Sequence, residues 1–596
     1  MDASGAGALE GTRSASGRVW RERPRGPAYT PQETARHARG DADLARFLAQ
    51  RGVAPGQAED ILDPKLSRLF PDPARFVDMD RASSLILDAV DAGRRIAVFA
   101  DYDVDGASSS ALLRRWLRAI GKETLLYVPD RVREGFGPSV AAFRALKAAG
   151  AELVITVDCG GAATEAIAEA GRLGLTVVVV DHHLMPQDAP AAAALVNPNR
   201  PDCRSGCGAL AAAGVAYVLL AALNREAVVR GWFSQDQRPD LLQWADLAAL
   251  GTLADMCPLV GPNRAMVTQG LKLLTRRVNP GVAALAERAR AGAVIDAQTV
   301  SFALAPRLNA AGRVGRADLA AALLACDDPG EAARIAETLD EFNQERRAAE
   351  AEVTAQALAL AQVQADDDAA VIVVEGEGWH PGVVGLAAGR IKERFNRPAV
   401  AIGWSDRTGR RVGSGSGRSI PGVDLGAAAS AAARDGLIVK GGGHAQACGL
   451  TLAPGQTGPL TERLRERLTG AVTAAAAQAE TLWLDGVAPL SAVSGAWAWV
   501  SQAAPFGPGF PEPVFAAQDL YIRSAAPFGA GHMRLEVSDQ GTRAKITAFR
   551  TADGPLSGLL TEGRSVHLAV KLARGWRGEA ADLILEDAAA TDAAAH

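Results

Sequence analysis

The stretch IAVFADYDVDG, residues 96–106, joins an apolar, strand-forming run to a short acidic segment. The same arrangement returns twice, in LVITVDCG (residues 153–160) and in LTVVVVDHH (residues 175–183). Segments with the apolar spacing of a helix separate these runs, at residues 111–120, 140–149 and 163–172. This alternation of strand and helix patterns predicts a parallel sheet with helices on both faces.

Each acidic segment directly follows its strand, so all three are expected at the carboxyl edge of the sheet, where such sheets bind ligands. The segments carry five carboxylates and two imidazoles: Asp101, Asp103, Asp105, Asp158, Asp181, His182 and His183. Oxygen ligands combined with imidazole suit a pair of Mn²⁺ or Mg²⁺ ions, and paired ions suit the hydrolysis of phosphate esters. The sheet edge is therefore the predicted catalytic centre.

Calcium binding is the first alternative, because DYDVDG matches the start of an EF-hand loop. That loop needs a bidentate Glu at its twelfth position and a helix before its first. The twelfth position here is Leu112, and a strand-forming run precedes the loop, which excludes an EF-hand. A helix cap at Asp158 and surface loop histidines at His182 and His183 are the plainer alternatives. The recurrence of these residues at one sheet edge favours metal ligands.

Composition places the chain among globular proteins of several domains, with 596 residues, 48% of them hydrophobic and 22% charged. The formal net charge of −5 gives no global basic field, although 63 Lys and Arg residues leave room for a local basic channel. The longest apolar stretch, residues 208–223, is too short to span a membrane and contains two glycines. We therefore expect a buried core helix there and no membrane partner.

Six cysteines in so long a chain form no disulfide framework, which indicates a reducing compartment and a cytoplasmic location. Cys203 and Cys207 stand four residues apart, like half of a zinc site. Because no second Cys/His pair stands at a zinc-finger spacing, structural zinc is disfavoured.

Further domains follow the first sheet. Residues 331–364 are charged, Ala-rich and almost free of helix breakers, which predicts one long solvated helix joining two domains. Strand patterns at 370–374 and 399–402, with Gly-rich stretches at 413–417 and 441–443, predict a smaller α/β domain. Short strands separated by turns after about residue 475 predict a small barrel such as an OB-fold.

Several motifs, taken in order, resemble those of the DHH phosphoesterase superfamily, and in particular its exonucleases of single-stranded DNA. The motifs are DYDVDG (101–106), EGFG (134–137, with Arg131 before it), VDCG (157–160), VDHH (180–183), GTLADMCPL (251–259), PRLNAAGR (306–313), WHPGVVG (379–385), SGRS (416–419) and GGGH (441–444). One such motif is weak, but the ordered set is specific and covers roughly residues 45–590. The chain departs from the pattern at Phe510, where these exonucleases usually have Asn.

The resemblance implies an α/β fold built from a DHH phosphoesterase domain with a parallel sheet, a long connecting helix, a smaller α/β DHH-associated domain and a C-terminal OB-fold β-barrel. The expected boundaries are a disordered leader at 1–40, the DHH domain at 41–330, the connecting helix at 331–365, the DHH-associated domain at 366–475 and the OB-fold domain at 476–596.

The resemblance also implies a division of the metal ligands. Asp158 is expected to bridge two ions, with Asp103 and the nearby Asp101 at one of them. The other ion is expected to bind Asp105, His182 and Asp255. His183 would face the scissile phosphate, and Asp181 would orient the imidazoles. Asp158, His182 and His183 are thus the expected catalytic residues, whereas Asp246 is expected to be structural.

Arginine suits phosphate because its planar guanidinium donates two hydrogen bonds to it. Arg131, Arg307, Arg313 and Arg418 stand in Gly-rich contexts that are typical of loops. Some of them, with Ser414 or Ser416, are expected to hold a 5′ phosphate, and a salt bridge is the alternative for each. His380 and His444 are expected to line the same cleft. In the barrel, the candidates for stacking and cationic contacts are Trp576, Phe549, Tyr521, Arg534 and Lys545.

The implied activity is a 5′→3′ exonuclease that degrades single-stranded DNA to 5′ mononucleotides in DNA repair and recombination, with two Mn²⁺ or Mg²⁺ ions. A channel between the α/β domains would exclude duplex, and a monomer would work with a helicase and a single-strand-binding protein. The enzymatic alternative is a DHH enzyme of small substrates (an oligoribonuclease, a cyclic-dinucleotide phosphodiesterase or a pyrophosphatase), which needs no barrel. The non-enzymatic alternative is a replication scaffold, which would have lost ligands that this chain retains.

Overall fold

A computed structural model of the chain describes residues 9–24, 26–131, 134–185, 188–314, 316–407, 410–478, 480–529, 531–575 and 581–592. The strands over these residues form four sheets. In chain order the strands are β1 (Val19–Glu22), β2 (Ile96–Ala100), β3 (Leu125–Tyr127), β4 (Leu153–Val157), β5 (Thr176–Val180), β6 (Ala194–Val196), β7 (Ile372–Glu377), β8 (Ala399–Arg407), β9 (Arg410–Arg418), β10 (Lys440–His444), β11 (Ala447–Leu452), β12 (Thr481–Leu484), β13 (Gly486–Val487), β14 (Val514–Phe528), β15 (His532–Ser538), β16 (Arg543–Ala548), β17 (Ser565–Arg574) and β18 (Ala581–Ala590).

The helices precede, cover and join these sheets. They are α1 (Pro31–His37), α2 (Ala42–Gln50), α3 (Ala58–Leu62), α4 (Leu66–Leu69), α5 (Met79–Asp91), α6 (Val104–Ala119), α7 (Val140–Ala148), α8 (Thr164–Arg172), α9 (Ala212–Val229), α10 (Ala245–Ala254), α11 (Gly261–Arg276), α12 (Pro280–Arg288), α13 (Ala297–Thr299), α14 (Ala305–Val314), α15 (Asp318–Ala325), α16 (Pro329–Asp366), α17 (Pro381–Phe395), α18 (Leu425–Arg434), α19 (Thr457–Ala477), α20 (Leu490–Gly495) and α21 (Trp497–Val500).

The first α/β domain is built on a parallel sheet with the strand order β3-β2-β4-β5-β6. Strands β2 and β4 are buried along their whole length. One face packs on α5, α6 and α9, and the other packs on α7 and α8. Cover on both faces explains why these strands are continuous apolar runs. The predicted parallel sheet is confirmed, and the short β6 is an addition to it.

A single helix of 38 residues, α16, joins the two α/β domains. Its first half packs against the core of the first domain, and its second half packs against the second domain. The buried residues of the two halves are Ala332, Ala336 and Leu339, then Val353, Ala357 and Ala361. At a rise of 1.5 Å per residue the helix is about 57 Å long. The long connecting helix is as predicted, but one of its faces is packed at both ends rather than solvated.

The second α/β domain has a mixed sheet with the order β10-β11-β9-β8-β7. Its Gly-rich segments lie inside β9 and β10, so the expectation of a loop around Arg418 is wrong. A Cβ atom at Gly413 would lie 3.0 Å from the ring of Trp404, and one at Gly417 would lie 2.6 Å from Leu425 Cδ2. The glycines are therefore required by close packing across the sheet rather than by a turn.

The C-terminal module is a barrel of β13 to β18 that closes because β14 pairs with both β15 and β17, as expected of an OB-fold. The fully buried Arg264 of α11 joins it to the first domain by donating hydrogen bonds to the carbonyls of Ala503 and Pro505. Phe510 packs in the same contact, with its ring centroid 4.9 Å from the guanidinium of Arg264. The unusual residue at position 510 is thus part of a domain contact.

The expectation of a disordered leader over residues 1–40 is wrong for the described residues from 9 onward; residues 1–8 lie outside the described part of the chain. Strand β1 pairs in parallel with β12. Trp20 is fully buried, and its Nε1 donates a 2.9 Å hydrogen bond to Asp587 Oδ2. The Gly- and Ser-rich composition conceals this segment, because its attachment depends on tertiary contacts, namely the pairing of β1 with β12 and the indole of Trp20 packed against the barrel.

Among the described residues, one helix has the length and mean hydropathy of a membrane span, α9. Of its 18 residues, 72% are buried inside the fold, against α5, α6 and α10. This burial is what the prediction of a core helix requires.

Replacing Trp20 by Ala tests whether the N-terminal strand is part of the folded barrel module. Loss of a fully buried indole is expected to lower the free energy of unfolding by about 3–5 kcal/mol. Trp483→Ala, on the paired strand, is the matched control, because this indole is 40% exposed and its loss should cost much less. Urea unfolding followed by fluorescence measures both variants; equal effects would contradict the assignment.

Candidate metal centre and phosphate-binding residues

The acidic side chains converge at the carboxyl edge of the first sheet. Asp101, Asp158 and Asp181 directly follow β2, β4 and β5. Asp103 is the N-cap of α6, and its Oδ1 accepts hydrogen bonds from the amides of Asp105 and Gly106. These positions follow from the chain itself, since parallel strands end at one edge and the next helix begins there.

One group of ligands consists of Asp101, Asp103 and Asp158. Each offers a carboxylate oxygen, and these oxygens lie within 4.8 Å of one another. Asp101 and Asp158 are buried, and Asp101 Oδ1 has no hydrogen-bond partner among the described residues. A buried charged oxygen without a partner is costly, so this atom fits a cation ligand.

A second group surrounds His182. Its Nε2 lies 3.3 Å from Asp158 Oδ1, 3.8 Å from Asp255 Oδ2 and 3.8 Å from Asp105 Oδ2. Asp158 thus belongs to both groups, with Asp101 and Asp103 on one side and the imidazole on the other. A carboxylate in this position can bridge two ions.

The tautomer of His182 leaves a lone pair toward these carboxylates. His182 Nδ1 lies 3.1 Å from the carbonyl oxygen of Leu210. Because a carbonyl only accepts, Nδ1 carries the proton and Nε2 is unprotonated in the neutral ring. Burial lowers the pKa of His182, with the opposing charge of Asp255 the next largest influence. The ring is therefore neutral and ready to act as a metal ligand.

The pKa of His183 is shifted in the direction opposite to that of His182. Burial acts to lower its pKa, but the 2.8 Å hydrogen bond from Nδ1 to Asp181 Oδ1 and the charge of that carboxylate raise it to about 9. Asp181 also accepts hydrogen bonds from the amides of His182 and Gly161, at 2.8 Å each. His183 is thus fixed beside the metal ligands, and Asp181 orients it.

The remaining carboxylates repel one another. Burial, and then the charge of a neighbouring carboxylate, raises the pKa of Asp101, Asp105 and Asp158 well above the ordinary carboxyl value. The neighbour is Asp103 for both Asp101 and Asp158. For Asp105 the neighbour is Asp255. Bound divalent cations would reverse both influences. The donor set, its repulsion and the orphaned oxygen of Asp101 together fit two divalent ions.

Asp255 reaches the centre because α10 approaches closely. A Cβ atom at Gly251 of α10 would lie 2.4 Å from Asp105 Oδ1, so a larger residue would push the helix away. Asp105 in turn accepts hydrogen bonds from the amides of Ala212 (2.7 Å) and Ala213 (2.8 Å) at the start of α9. Both helices are thereby anchored to one carboxylate. Asp246, buried within the same α10, lies outside these ligand groups.

Three of the four predicted arginines lie together beside this centre. The Arg131 guanidinium lies 5.1 Å from the ring of Tyr102, inside the DYDVDG motif. Burial, together with the charges of Arg131, Arg346 and Arg418, lowers the pKa of Arg313 to about 10. Tyr102 links two of these arginines, because Arg131 lies over its ring and Gly312, next to Arg313, packs against its carbonyl.

Strand β9 carries the other predicted phosphate ligands. Ser414, Ser416 and Arg418 alternate along it and therefore share one face. Arg418 Nη1 donates a 3.0 Å hydrogen bond to Ser416 Oγ. His444 lies in the same row as Arg418, since both pair with Ala447 of β11.

His380 is the N-cap of α17, and its Nδ1 accepts a hydrogen bond from the amide of Gly382. The carbonyl of Gly382 accepts a 2.8 Å hydrogen bond from Arg313. His380 and Arg313 thus meet at one helix start, on the second α/β domain.

Arg307 is not brought to this cluster. Its Nε lies 2.8 Å from Asp340 Oδ1 on α16, so the alternative of a salt bridge applies to it. The prediction of Gly-rich loops is also wrong for Arg307 and Arg313, which lie on α14, and for Arg418, which lies on β9. The neighbouring glycines serve close packing: a Cβ atom at Gly312 would lie 2.7 Å from the carbonyl of Tyr102.

Sequence reasoning misses two residues of this region. The sequence pattern of residues 331–364 predicts that Arg346 lies on a solvated helix. In the structure, Arg346 and Arg313 instead line a cavity of about 200 Å³ between the first domain, α16 and Leu386 of α17. The pattern gives no role to Cys257, although its thiol forms a group with His182 and Asp255. In the sequence, the signal for Cys257 is its position two residues after the predicted metal ligand Asp255. No sequence signal indicates a role for Arg346.

On the barrel, Phe549 and Tyr521 are exposed, as a stacking surface needs. Arg534 lies 4.9 Å from the ring of Phe528. Trp576 lies outside the described residues.

The family comparisons agree with this architecture. The model of the DHH family, N-terminal domain, matches residues 95–252, that of the DHHA1 domain matches 368–470, and that of the RecJ OB domain matches 484–587. The parallel sheet with its acidic edge and the second α/β domain define a DHH phosphoesterase. The curated protein "Single-stranded-DNA-specific exonuclease RecJ" of Dickeya dadantii is 36% identical over 540 residues, covering 89% of this chain and 92% of that protein. The chain therefore belongs to the RecJ family.

Solved structures support the same conclusion. RecJ from Thermus thermophilus in complex with Mn²⁺ superposes with a TM-score of 0.74 at 28% identity, covering 95% of this chain and 79% of that one. The same protein in complex with Mg²⁺ gives a TM-score of 0.69 at 28% identity, with coverages of 95% and 78%. The DHH, DHH-associated and OB folds predicted from the sequence are thus confirmed.

Proposed function

We infer that this protein is a metal-dependent exonuclease that degrades single-stranded DNA, as the RecJ relatives are named for doing. The chemistry is hydrolysis of a phosphodiester with two Mn²⁺ or Mg²⁺ ions, the metals found with the Thermus relative. We propose that digestion runs 5′→3′ and releases 5′ mononucleotides, in DNA repair and recombination.

One observation carries the two-ion proposal: Asp158 belongs to a carboxylate group with Asp101 and Asp103 and also lies 3.3 Å from His182 Nε2. Two divalent ions, when bound, supply a nucleophilic water at neutral pH and offset charge on the attacking and leaving oxygens. Asp158 would bridge the ions, Asp101 and Asp103 would hold one, and Asp105, His182 and Asp255 would hold the other.

The chain's own residues position the substrate. Held by Asp181, His183 would face the scissile phosphate and, when protonated, stabilise its negative charge through the ring N–H that does not bind Asp181. The Nδ1–H of His182 would go on donating its hydrogen bond to the carbonyl of Leu210, so that Nε2 stays free to bind a metal ion throughout. The anion site of Arg131, Arg313 and Arg418 would hold the terminal phosphate, because guanidinium groups crowded together gain from a shared anion.

We propose that Ser414, Ser416, His380 and His444 line the same cleft from the side of the second α/β domain. A phosphate held against β9 and the start of α17 would be bound by both α/β domains at once. That arrangement suits a strand threaded between the domains, too narrow for duplex. The barrel would bind the strand further along by stacking.

We propose that the enzyme works in the cytoplasm as a monomer, with a helicase and a single-strand-binding protein that supply and present single strands. All six cysteines are free thiols, which suits a reducing compartment.

Nucleotide release from 5′-labelled and 3′-labelled single strands, with and without Mn²⁺, tests the function. We expect mononucleotides from the 5′ end, dependence on Mn²⁺ and little release from duplex. Asp158→Asn should lower the rate more than about 100-fold, since changes even to outer partners of metal ligands cost 10–100-fold. The amide keeps the side-chain volume and suits the left-handed φ of 60° at this position.

Near-normal release by Asp158→Asn or by Asp158→Ala would contradict the bridging role, provided that circular dichroism shows each variant to be folded. Release from the 3′ end first would contradict the proposed polarity.

The phosphate role of Arg418 is tested by comparing 5′-phosphorylated with 5′-hydroxyl substrates. Arg418→Ala should reduce the preference for the phosphorylated end by roughly tenfold or more, because a hydrogen bond to a charged group contributes about 1.5–3 kcal/mol. Arg411→Ala is the matched control: Arg411 lies on the same strand, on the other face, and pairs with Glu377. An unchanged preference in Arg418→Ala would move the role to another residue.

A further inference from the structure

The metal centre contains one side chain that no part of the proposed function uses, the thiol of Cys257. It lies beside Asp255 just beyond the end of α10, and it is 7% exposed. The other described cysteines lie outside the ligand groups. A buried thiol next to carboxylates and an imidazole changes which metals the centre can bind.

The backbone holds Asp255 and Cys257 in a fixed relation. Met256 between them has a left-handed φ of 57°. The amide of Met256 donates to the carbonyl of Leu253 at 3.3 Å, and that of Cys257 donates to the carbonyl of Thr252 at 3.1 Å. These two hydrogen bonds around a left-handed residue form a Schellman motif. Both side chains therefore leave a rigid helix end rather than a loop.

The donor atoms lie close to the spacing of a tetrahedral site. Cys257 Sγ lies 3.1 Å from Asp255 Oδ2, and His182 Nε2 lies 3.8 Å from the same oxygen. All three donor atoms are within 4.8 Å of one another. Ligands about 2.0–2.3 Å from a tetrahedral ion lie roughly 3.3–3.8 Å apart. Small side-chain adjustments would thus place an ion among them.

We propose that His182, Asp255 and Cys257 form a thiophilic metal site that takes Zn²⁺, Co²⁺ or Cd²⁺ in one half of the centre. The proposal rests on the proposed function for the roles of His182 and Asp255, and adds the thiol as a ligand. Sulfur, nitrogen and oxygen donors together suit zinc-like ions, whereas carboxylates without sulfur suit Mg²⁺ and Mn²⁺. Coordination forms the sulfur–metal bond and releases the thiol proton to solvent, with no change of oxidation state.

The consequence is a choice between two kinds of ion at one position. A soft ion bound through Cys257 competes with Mn²⁺ for His182 and Asp255. Zinc-like ions would therefore displace Mn²⁺ from this half of the centre.

The test is the addition of Co²⁺ alone to metal-free full-length protein, followed by optical absorption. A thiolate bound to Co²⁺ gives a charge-transfer band in the near ultraviolet that carboxylate and imidazole ligands do not give. We expect the band in the unaltered protein and its loss in Cys257→Val and in Cys257→Ser, two variants that differ in polarity. We also expect Cd²⁺ to bind at least about tenfold more weakly to both, as for the loss of a metal-site partner.

Cys326→Ser is the matched control and should keep the band. Cys326 is also buried, at 8% exposure, and its Sγ lies 3.7 Å from a carboxylate oxygen of Glu331, but it has no place in the ligand groups of the described residues. A missing band in the unaltered protein, a band that survives in either Cys257 variant, or loss of the band in Cys326→Ser overturns the proposal.

Mn²⁺-dependent nucleotide release by the unaltered protein tests the proposed function separately. Release without the Co²⁺ band overturns the thiophilic site alone. The band without release supports the site and overturns the proposed function alone.

Discussion

The burial of like charges at one sheet edge is the constraint that the rest of this structure serves. Asp101, Asp105 and Asp158 are each nearly inaccessible to water, and Asp103 and Asp255 lie close by. Carboxylates so placed gain no solvation and repel one another. A pair of divalent cations relieves both costs at once, and this is why the edge favours metal binding so strongly.

The surrounding architecture holds the carboxylates against that repulsion. Asp103 caps α6 and Asp105 binds two amides at the start of α9, so helix N-termini share part of the charge. Gly251 lets α10 come close enough to add Asp255. The helix α16 then carries the second α/β domain to the same edge, and with it Arg418 and its neighbours on β9. The proposed anion site thus combines Arg131 and Arg313 of the first α/β domain with Arg418 of the second, and one rigid helix joins the two domains.

Much of this could be predicted because the signals are local. The strands that precede Asp101 and Asp158 are almost wholly apolar, and the absence of breakers marks α16. Tertiary packing decides what the sequence conceals. The glycines of β9 have the composition of a loop, and only their close contacts with Trp404 and Leu425 explain them. Trp20 stands in a segment with the composition of a disordered tail, and only its burial against the barrel shows that this segment is folded. Arg307 and Arg313 belong to one motif but stand six residues apart on α14. Arg307 therefore pairs with Asp340, whereas Arg313 contacts the start of α17.

Cys257 depends on tertiary structure in the same way. The motif GTLADMCPL predicts that Asp255 is a ligand, but the residues after Asp255 do not indicate that the chain turns back there. The left-handed Met256 makes that turn, and it gives the thiol a place in the centre. Chemistry at this site is therefore set by the backbone after α10 as much as by the strand ends.

In the proposed centre one carboxylate, Asp158, would be shared by two metal ions. Electron paramagnetic resonance of the Mn²⁺-loaded protein measures this directly, because two Mn²⁺ ions joined by a carboxylate are magnetically coupled. We predict two ions per chain with a coupled spectrum, and an uncoupled spectrum for Asp158→Asn. One ion per chain, or two uncoupled ions in the unaltered protein, would contradict the shared carboxylate.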